Sequence, residues 1–249
     1  MKWGQIYWGI DFLKKVLTRC FFSYTIGYKL WRRKMSIFDI FGKKSLKNYT
    51  KAAENGDVEA MCYLGRSYFN GQGVNKDLNK AFFWYDKAAK QGHPFAQCNL
   101  GLCFYNGQGV DKDPSQAIYW YNKAIEQDYG MAKYNLGVCY SEGIGVPKDM
   151  EKAVYWWEQA ANQGVDCAQY NLGYSYGTGN GTSRDLKKAA YWLTKAAEQG
   201  HALAQTNLGL TYYNGWGVEM DSKKALYWLK KAVSQGEINA INFLKQSGG

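Results

Sequence analysis

The sequence predicts an all-α solenoid of five 36-residue helix-turn-helix repeats with a half repeat at each end. Three observations carry this: a register that recurs every 36 residues, apolar spacing of three and four within each unit, and turn and cap residues at fixed places. Ala60, Ala96, Ala132, Ala168, Ala204 and Ala240 stand 36 apart, and Leu64, Leu100, Leu136, Leu172, Leu208 and Leu244 follow in the same register. Gly65, Gly101, Gly137, Gly173 and Gly209 come next, and Trp84, Trp120, Trp156, Trp192 and Trp228 mark the later half of each unit. Self-similarity at such a period is the mark of a repeat architecture. Full units run from 60 to 239; Tyr49, Ala52, Ala53 and Gly56 keep the register before them, and residues 240–246 begin another unit.

Each unit reads as two helices. In the first, Ala96, Leu100 and Phe104 lie four apart and therefore on one face. It should stop at the Asn-Gly turn of Asn106-Gly107-Gln108-Gly109, where glycine can take the left-handed conformation that ends helices. The second helix should start at Asp77, Asp113, Asp149, Asp185 and Asp221, whose carboxylates can accept unpaired backbone amides. It should end at Gly56, Gly92, Gly164, Gly200 and Gly236, with Asp128 in the corresponding place of the one exceptional unit. The register tryptophans read as core. Burying about 150–250 Å² each at about 25 cal/mol/Å² corresponds to roughly 4–6 kcal/mol apiece before entropy. A hairpin of this size cannot bury its apolar face alone, so neighbouring units must stack.

The unit Ala-x-x-x-Leu-Gly-x-x-Tyr, Gly-x-Gly-Val, Asp, Lys-Ala-x-x-Trp-Tyr-x-Lys-Ala-Ala, as in AQCNLGLCFYNGQGVDKDPSQAIYWYNKA over residues 96–124, closely resembles the Sel1-like repeat, a relative of the tetratricopeptide unit. The resemblance covers about four-fifths of the chain and leaves out residues 1–44. It implies a right-handed α/α solenoid whose first helices line a concave face, and a role in binding other proteins. Secreted relatives, the Helicobacter-type cysteine-rich proteins, staple each helix pair with a disulfide. At the second-helix position where the staple would start stand Ala88, Ala124, Ala160, Ala196 and Ala232. Reduced thiols and a reducing, cytoplasmic compartment are therefore expected, and the case for a β-lactamase-like activity largely falls away.

Composition narrows the remaining classes. Of the 249 residues, 10 are Trp, 21 Tyr and 11 Phe, which excludes a mostly disordered chain. The formal charge of +10 is concentrated: residues 1–44 hold ten Lys or Arg against Asp11 and Asp39, a surplus of +8, leaving +2 for the body. The division expected is a basic amphipathic extension, 1–44, and a repeat domain, 45–249. In the extension, Trp3, Ile6, Tyr7, Ile10, Leu13, Leu17 and Phe21 follow helical spacing. Three readings of this head stand side by side: an anionic-membrane or partner-docking helix through residues 1–34, with possible membrane association of the whole chain, a helix capping the repeats, and a segment upstream of a start at Met35.

Catalytic and cofactor readings find little material. The Gly-x-Gly pairs follow helices and recur five times, whereas a nucleotide fingerprint follows a strand and occurs once. The two histidines, His93 and His201, are 108 residues apart at one repeat position, too distant to share a metal or a proton relay. The sequence therefore predicts no catalytic residue, no cofactor, no metal and no enzyme.

Positions that vary between units are more informative. The third, seventh and tenth positions of the first helix form a stripe beside the Ala/Leu face. From it we take Arg66, Phe69, Leu102, Tyr105, Tyr134, Val138, Tyr170, Tyr174, Leu210 and Tyr213 as the candidate partner-binding row. Tyrosine and arginine suit a desolvated protein interface. The stripe holds one Arg and no Lys, which disfavours nucleic acid. The function expected is a monomeric, non-enzymatic scaffold that holds a segment of another protein in its groove. The alternatives are an immunity protein that neutralises a bacterial toxin or enzyme, by family analogy, and a nucleic-acid-binding helical repeat.

Overall fold

The computed structural model describes residues 42–247. The expected N-terminal extension lies outside the described residues up to position 41, and α1 begins at Gly42. The described residues form twelve α-helices and no strand, in two compact units, 42–148 and 149–247. The first unit holds α1 (Gly42–Glu54), α2 (Val58–Asn70), α3 (Leu78–Lys90), α4 (Pro94–Asn106), α5 (Pro114–Ile125) and α6 (Gly130–Glu142). The second holds α7 (Met150–Asn162), α8 (Asp166–Thr178), α9 (Leu186–Glu198), α10 (Ala202–Asn214), α11 (Ser222–Ser234) and α12 (Ile238–Ser247). Even-numbered helices from α2 to α10 are the first helices of successive repeats, and α3 to α11 the second.

The caps read from the sequence are formed. Asp77, Asp113, Asp149, Asp185 and Asp221 each accept a backbone amide two or three residues on, at 2.9–3.0 Å. Those amides hold the carboxyls of Asp77, Asp149 and Asp221 below the usual carboxylate range. Each complete first helix ends on a left-handed glycine, as at Gly107 with φ 71°, whose N–H donates to Cys103 O. Asp128 takes the left-handed conformation at φ 59° where the other second helices use glycine.

Close approach between the two helices of a repeat depends on the register glycine. A Cβ on Gly101 would stand 2.7 Å from the Tyr121 ring and 3.0 Å from Ala117 O; on Gly65 it would stand 2.6 Å from Tyr85, and on Gly209 2.7 Å from Leu229. Gly65, Gly101, Gly173 and Gly209 each admit the large residue after the register tryptophan, Tyr85, Tyr121, Leu193 and Leu229, each 1–2% exposed; Trp157, at the same register place, is 3% exposed. This corrects the sequence reading of the tryptophans. Trp84 is buried, but Trp120, Trp156, Trp192 and Trp228 are only half-buried. One residue along a helix turns the side chain by about 100°, enough to move it from interior to shoulder.

From the second Gly-x-Gly onward, at Gly109, Gly145, Gly181 and Gly217, the second glycine lies against the previous repeat. A Cβ on Gly109 would stand 2.1 Å from Leu78 O, and on Gly217 2.2 Å from Leu186 O, at the starts of α3 and α9. A glutamine relay adds to this joint. Gln97 Nε2 donates to Ala89 O at 3.3 Å, and Gln127 Nε2 donates to Gln97 Oε1 at 2.9 Å and Gly92 O at 2.8 Å. Gln169 and Gln199 repeat the arrangement. Where the register glutamine is replaced by Lys133, the buried ammonium pairs instead with Asp128, so the two departures from the repeat pattern answer each other.

Gly101→Ala should therefore cost about 1–3 kcal/mol as an overpacked contact, and Tyr121→Ala about 3–5 kcal/mol as a core truncation. Trp120→Ala should cost less than Tyr121→Ala, and guanidinium unfolding monitored by helical circular dichroism measures the ranking.

Candidate functional site

The candidate row lies on first helices, and the structure distributes it unevenly. Its third position is packed in every unit: Cys62, Cys98, Tyr134, Tyr170 and Thr206 are 2–5% exposed. Val138 and Leu210 are buried as well. Tyr105 is buried and donates its hydroxyl to Glu142; burial and that carboxylate push its pKa up. Tyr170 stacks on the His201 ring, with centroids 4.7 Å apart. Half-buried positions remain at Arg66, Phe69 and Leu102 in the first unit and Tyr174 in the second, while Tyr213 is 45% exposed and meets Phe243 edge-on. The expectation that Tyr134 and Tyr170 stand beside the Ala/Leu face as part of a partner-binding row does not match their packing. In an all-round packed helix the third position meets neighbouring side chains, so its variation between repeats reflects co-packing.

A second row was missed by the sequence reading. Phe83 and Tyr119 in the first unit, and Tyr155, Tyr191 and Tyr227 in the second, are 47–54% exposed on the second helices. Each meets the following tryptophan edge-on at 5.0–5.2 Å. The signal was present as an aromatic residue in 36-residue register immediately before each Trp. With the Trp read as the buried anchor, its neighbour had no role.

The nucleophile and metal inventory is short. Among the described residues no group of three His, Cys, Asp or Glu could hold a metal ion. Cys62, Cys98, Cys103 and Cys139 are free and buried, and burial pushes each thiol up to about 12, the opposite of an activated cysteine. Cys167 is buried as well, at 1% exposure. His93 Nε2 lies 3.2 Å from Glu59 Oε1, and His201 caps α10 by accepting Ala204 N–H on Nδ1 at 3.2 Å. Both act as loop and cap residues. Among the described residues no helix is long and apolar enough to cross a membrane.

Helical hairpins in 36-residue register, joined by glycine contacts and capped by aspartate, match the Sel1 repeat over residues 42–57, 58–93, 94–129, 130–165, 168–201 and 202–237. The chain belongs to the Sel1 repeat family. It is similar to a Sel1 repeat protein from Oxalobacter formigenes, with 40% identity, 82% of this chain and 59% of that one covered, and a TM-score of 0.75. It is also similar to c5321, a protective antigen of uropathogenic Escherichia coli with the same repeat fold, at 31% identity, 97% and 52% coverage, and a TM-score of 0.72. This chain therefore spans between half and three-fifths of the length of those two proteins. Immunity protein Pa5087 from Pseudomonas aeruginosa shares the fold at 22% identity, 86% and 84% coverage, and a TM-score of 0.56. No curated protein matches the chain. Sel1 repeat proteins are protein-interaction scaffolds, typically without enzymatic activity.

Two outcomes check the chemistry of these Sel1 repeats. Maleimide at pH 8 should leave Cys62, Cys98, Cys103 and Cys139 unlabelled in the native protein and label them on unfolding, as read by peptide mass spectrometry. Burial holds the His201 pKa below 6.5, with Asp166 opposing. The unfolded state then takes the proton first, and stability should fall as pH drops below about 6.5 towards that depressed value. Asparagine caps without titrating, so His201→Asn should flatten that loss in guanidinium midpoints compared at pH 7.5 and 5.5.

Proposed function

We propose that the chain is a non-enzymatic scaffold that holds a segment of a partner protein against the first helices of its repeats. The supporting observation is where variation and access coincide. Packing positions recur as Ala, Leu and Gly in each unit, whereas the seventh position carries Arg66, Leu102, Val138, Tyr174 and Leu210. Of these, Arg66, Leu102 and Tyr174 retain solvent access. A partner would meet a guanidinium on the first unit and a phenol on the second, the residue types in which interface binding energy concentrates. Burial raises the Tyr174 pKa, so its hydroxyl is a neutral donor at physiological pH.

The finer reading, that the partner is a toxin or enzyme held inactive, draws on the shared fold of the Pseudomonas aeruginosa immunity proteins, at 22% identity. It stands second because no residue of this chain selects it.

Cross-linking followed by mass spectrometry should identify the bound protein, and titration calorimetry then measures the variants. Tyr174→Ala and Arg66→Ala should each weaken affinity by about 10-fold or more, the effect of losing roughly 1.4 kcal/mol. Tyr119→Ala on a second helix should leave it unchanged. Equal affinity in all three would move the site off the first helices.

A further inference from the structure

The second unit carries a basic and aromatic surface that the repeat architecture does not require. Helix α9 has three lysines and one glutamate, and α11 has four lysines and no acid. All seven lysines are exposed, and of the seven only Lys224 forms an ion pair within the described residues, with Asp221 at 3.4 Å. Both helices pack against α10, and the 36-residue register puts Lys187 with Lys223, Tyr191 with Tyr227 and Lys195 with Lys231 at equivalent places. Tyr191 and Tyr227 are 54% and 51% exposed, and the ammonium groups of Lys195 and Lys231 stand 5.7 and 4.6 Å from their ring centroids. Leu226 and Met220, also exposed, add apolar surface at and just before α11.

Helix α7 supplies an internal control. It keeps the aromatic pair Tyr155 and Trp156, but has Glu151 and Gln159 where α9 and α11 have lysine. The same hairpin therefore folds without those charges, and the lysines are not a packing requirement.

We propose that the α9–α11 surface docks the chain on an anionic lipid bilayer. The charge is cationic where phospholipid headgroups are anionic, and tyrosine, leucine and methionine at the same surface suit the headgroup–acyl boundary. Lysines near such a surface contribute additively. No arginine occurs on either helix, whereas nucleic-acid recognition draws on the arginine fork. This surface is on second helices, apart from the first-helix row, and its occupancy leaves the scaffold reading independent.

The test is flotation of the full chain with phosphatidylcholine–phosphatidylserine vesicles and with phosphatidylcholine alone. The chain should float only with the anionic vesicles and be released by high salt. Lys195→Glu with Lys231→Glu should weaken partition by at least about tenfold. Lys76→Glu with Lys112→Glu, an equal charge change on exposed turns of the first unit, should weaken it several-fold less. Tyr191→Ser with Tyr227→Ser should also weaken it, with the salt dependence retained. If the double reversal reduces helicity, Lys187→Gln with Lys223→Gln provides the same comparison. Absence of flotation at low salt, or equal loss in both lysine pairs, overturns the proposal. Vesicles ignored while a single-stranded RNA oligonucleotide is bound, and lost in the Lys195/Lys231 variant, overturns it in favour of nucleic acid.

Discussion

The contact between a first-helix glycine and the large side chain of its partner helix governs the rest of the structure. At Gly101 there is no room for a methyl group between the helix backbone and the Tyr121 ring. Because that ring is drawn against the first helix, the two helices approach closely enough for the alanines at 96 and 117 to be buried at 0% exposure. Close packing with small residues leaves few rotamers to order, so the contact is gained at little side-chain entropy. The same geometry at Gly65 and Gly209 accepts tyrosine in one case and leucine in the other. What is conserved between repeats is the space, filled by whichever large residue the local neighbours allow.

The joints between repeats follow a second, polar logic. Buried amide and carbonyl groups at the end of a second helix must find partners, and the Gln97–Gln127 pair supplies them across the turn. Lys133 shows how strict this demand is. An ammonium buried at that place is tolerated because Asp128 reaches it, and Asp128 accepts a left-handed backbone in doing so. An ion pair thus replaces an amide pair without changing the hairpin.

These constraints leave two kinds of surface free to diverge. On first helices, packing claims most of the circumference, and only positions such as Arg66, Leu102 and Tyr174 keep access. On second helices the outer side is untouched by the glycine contact, so aromatic residues and charges accumulate there, with opposite character on α7 and α11.

The sequence by itself determined the repeat length, the hairpins, the aspartate caps and the glycine turns. Each of these is a local property, set by spacing along one helix or by the conformational freedom of one residue. Asp128 as the exceptional turn was also legible, because a missing glycine shows in the register. Tertiary structure alone decided which aromatic of each adjacent pair is buried, since periodicity gives a face only to within a residue and the glycine on the other helix makes the choice. It likewise decided that Tyr134 and Tyr170 are packed and Tyr191 and Tyr227 exposed. A tyrosine's chemistry suits both places, and only the neighbours brought by folding determine which it occupies.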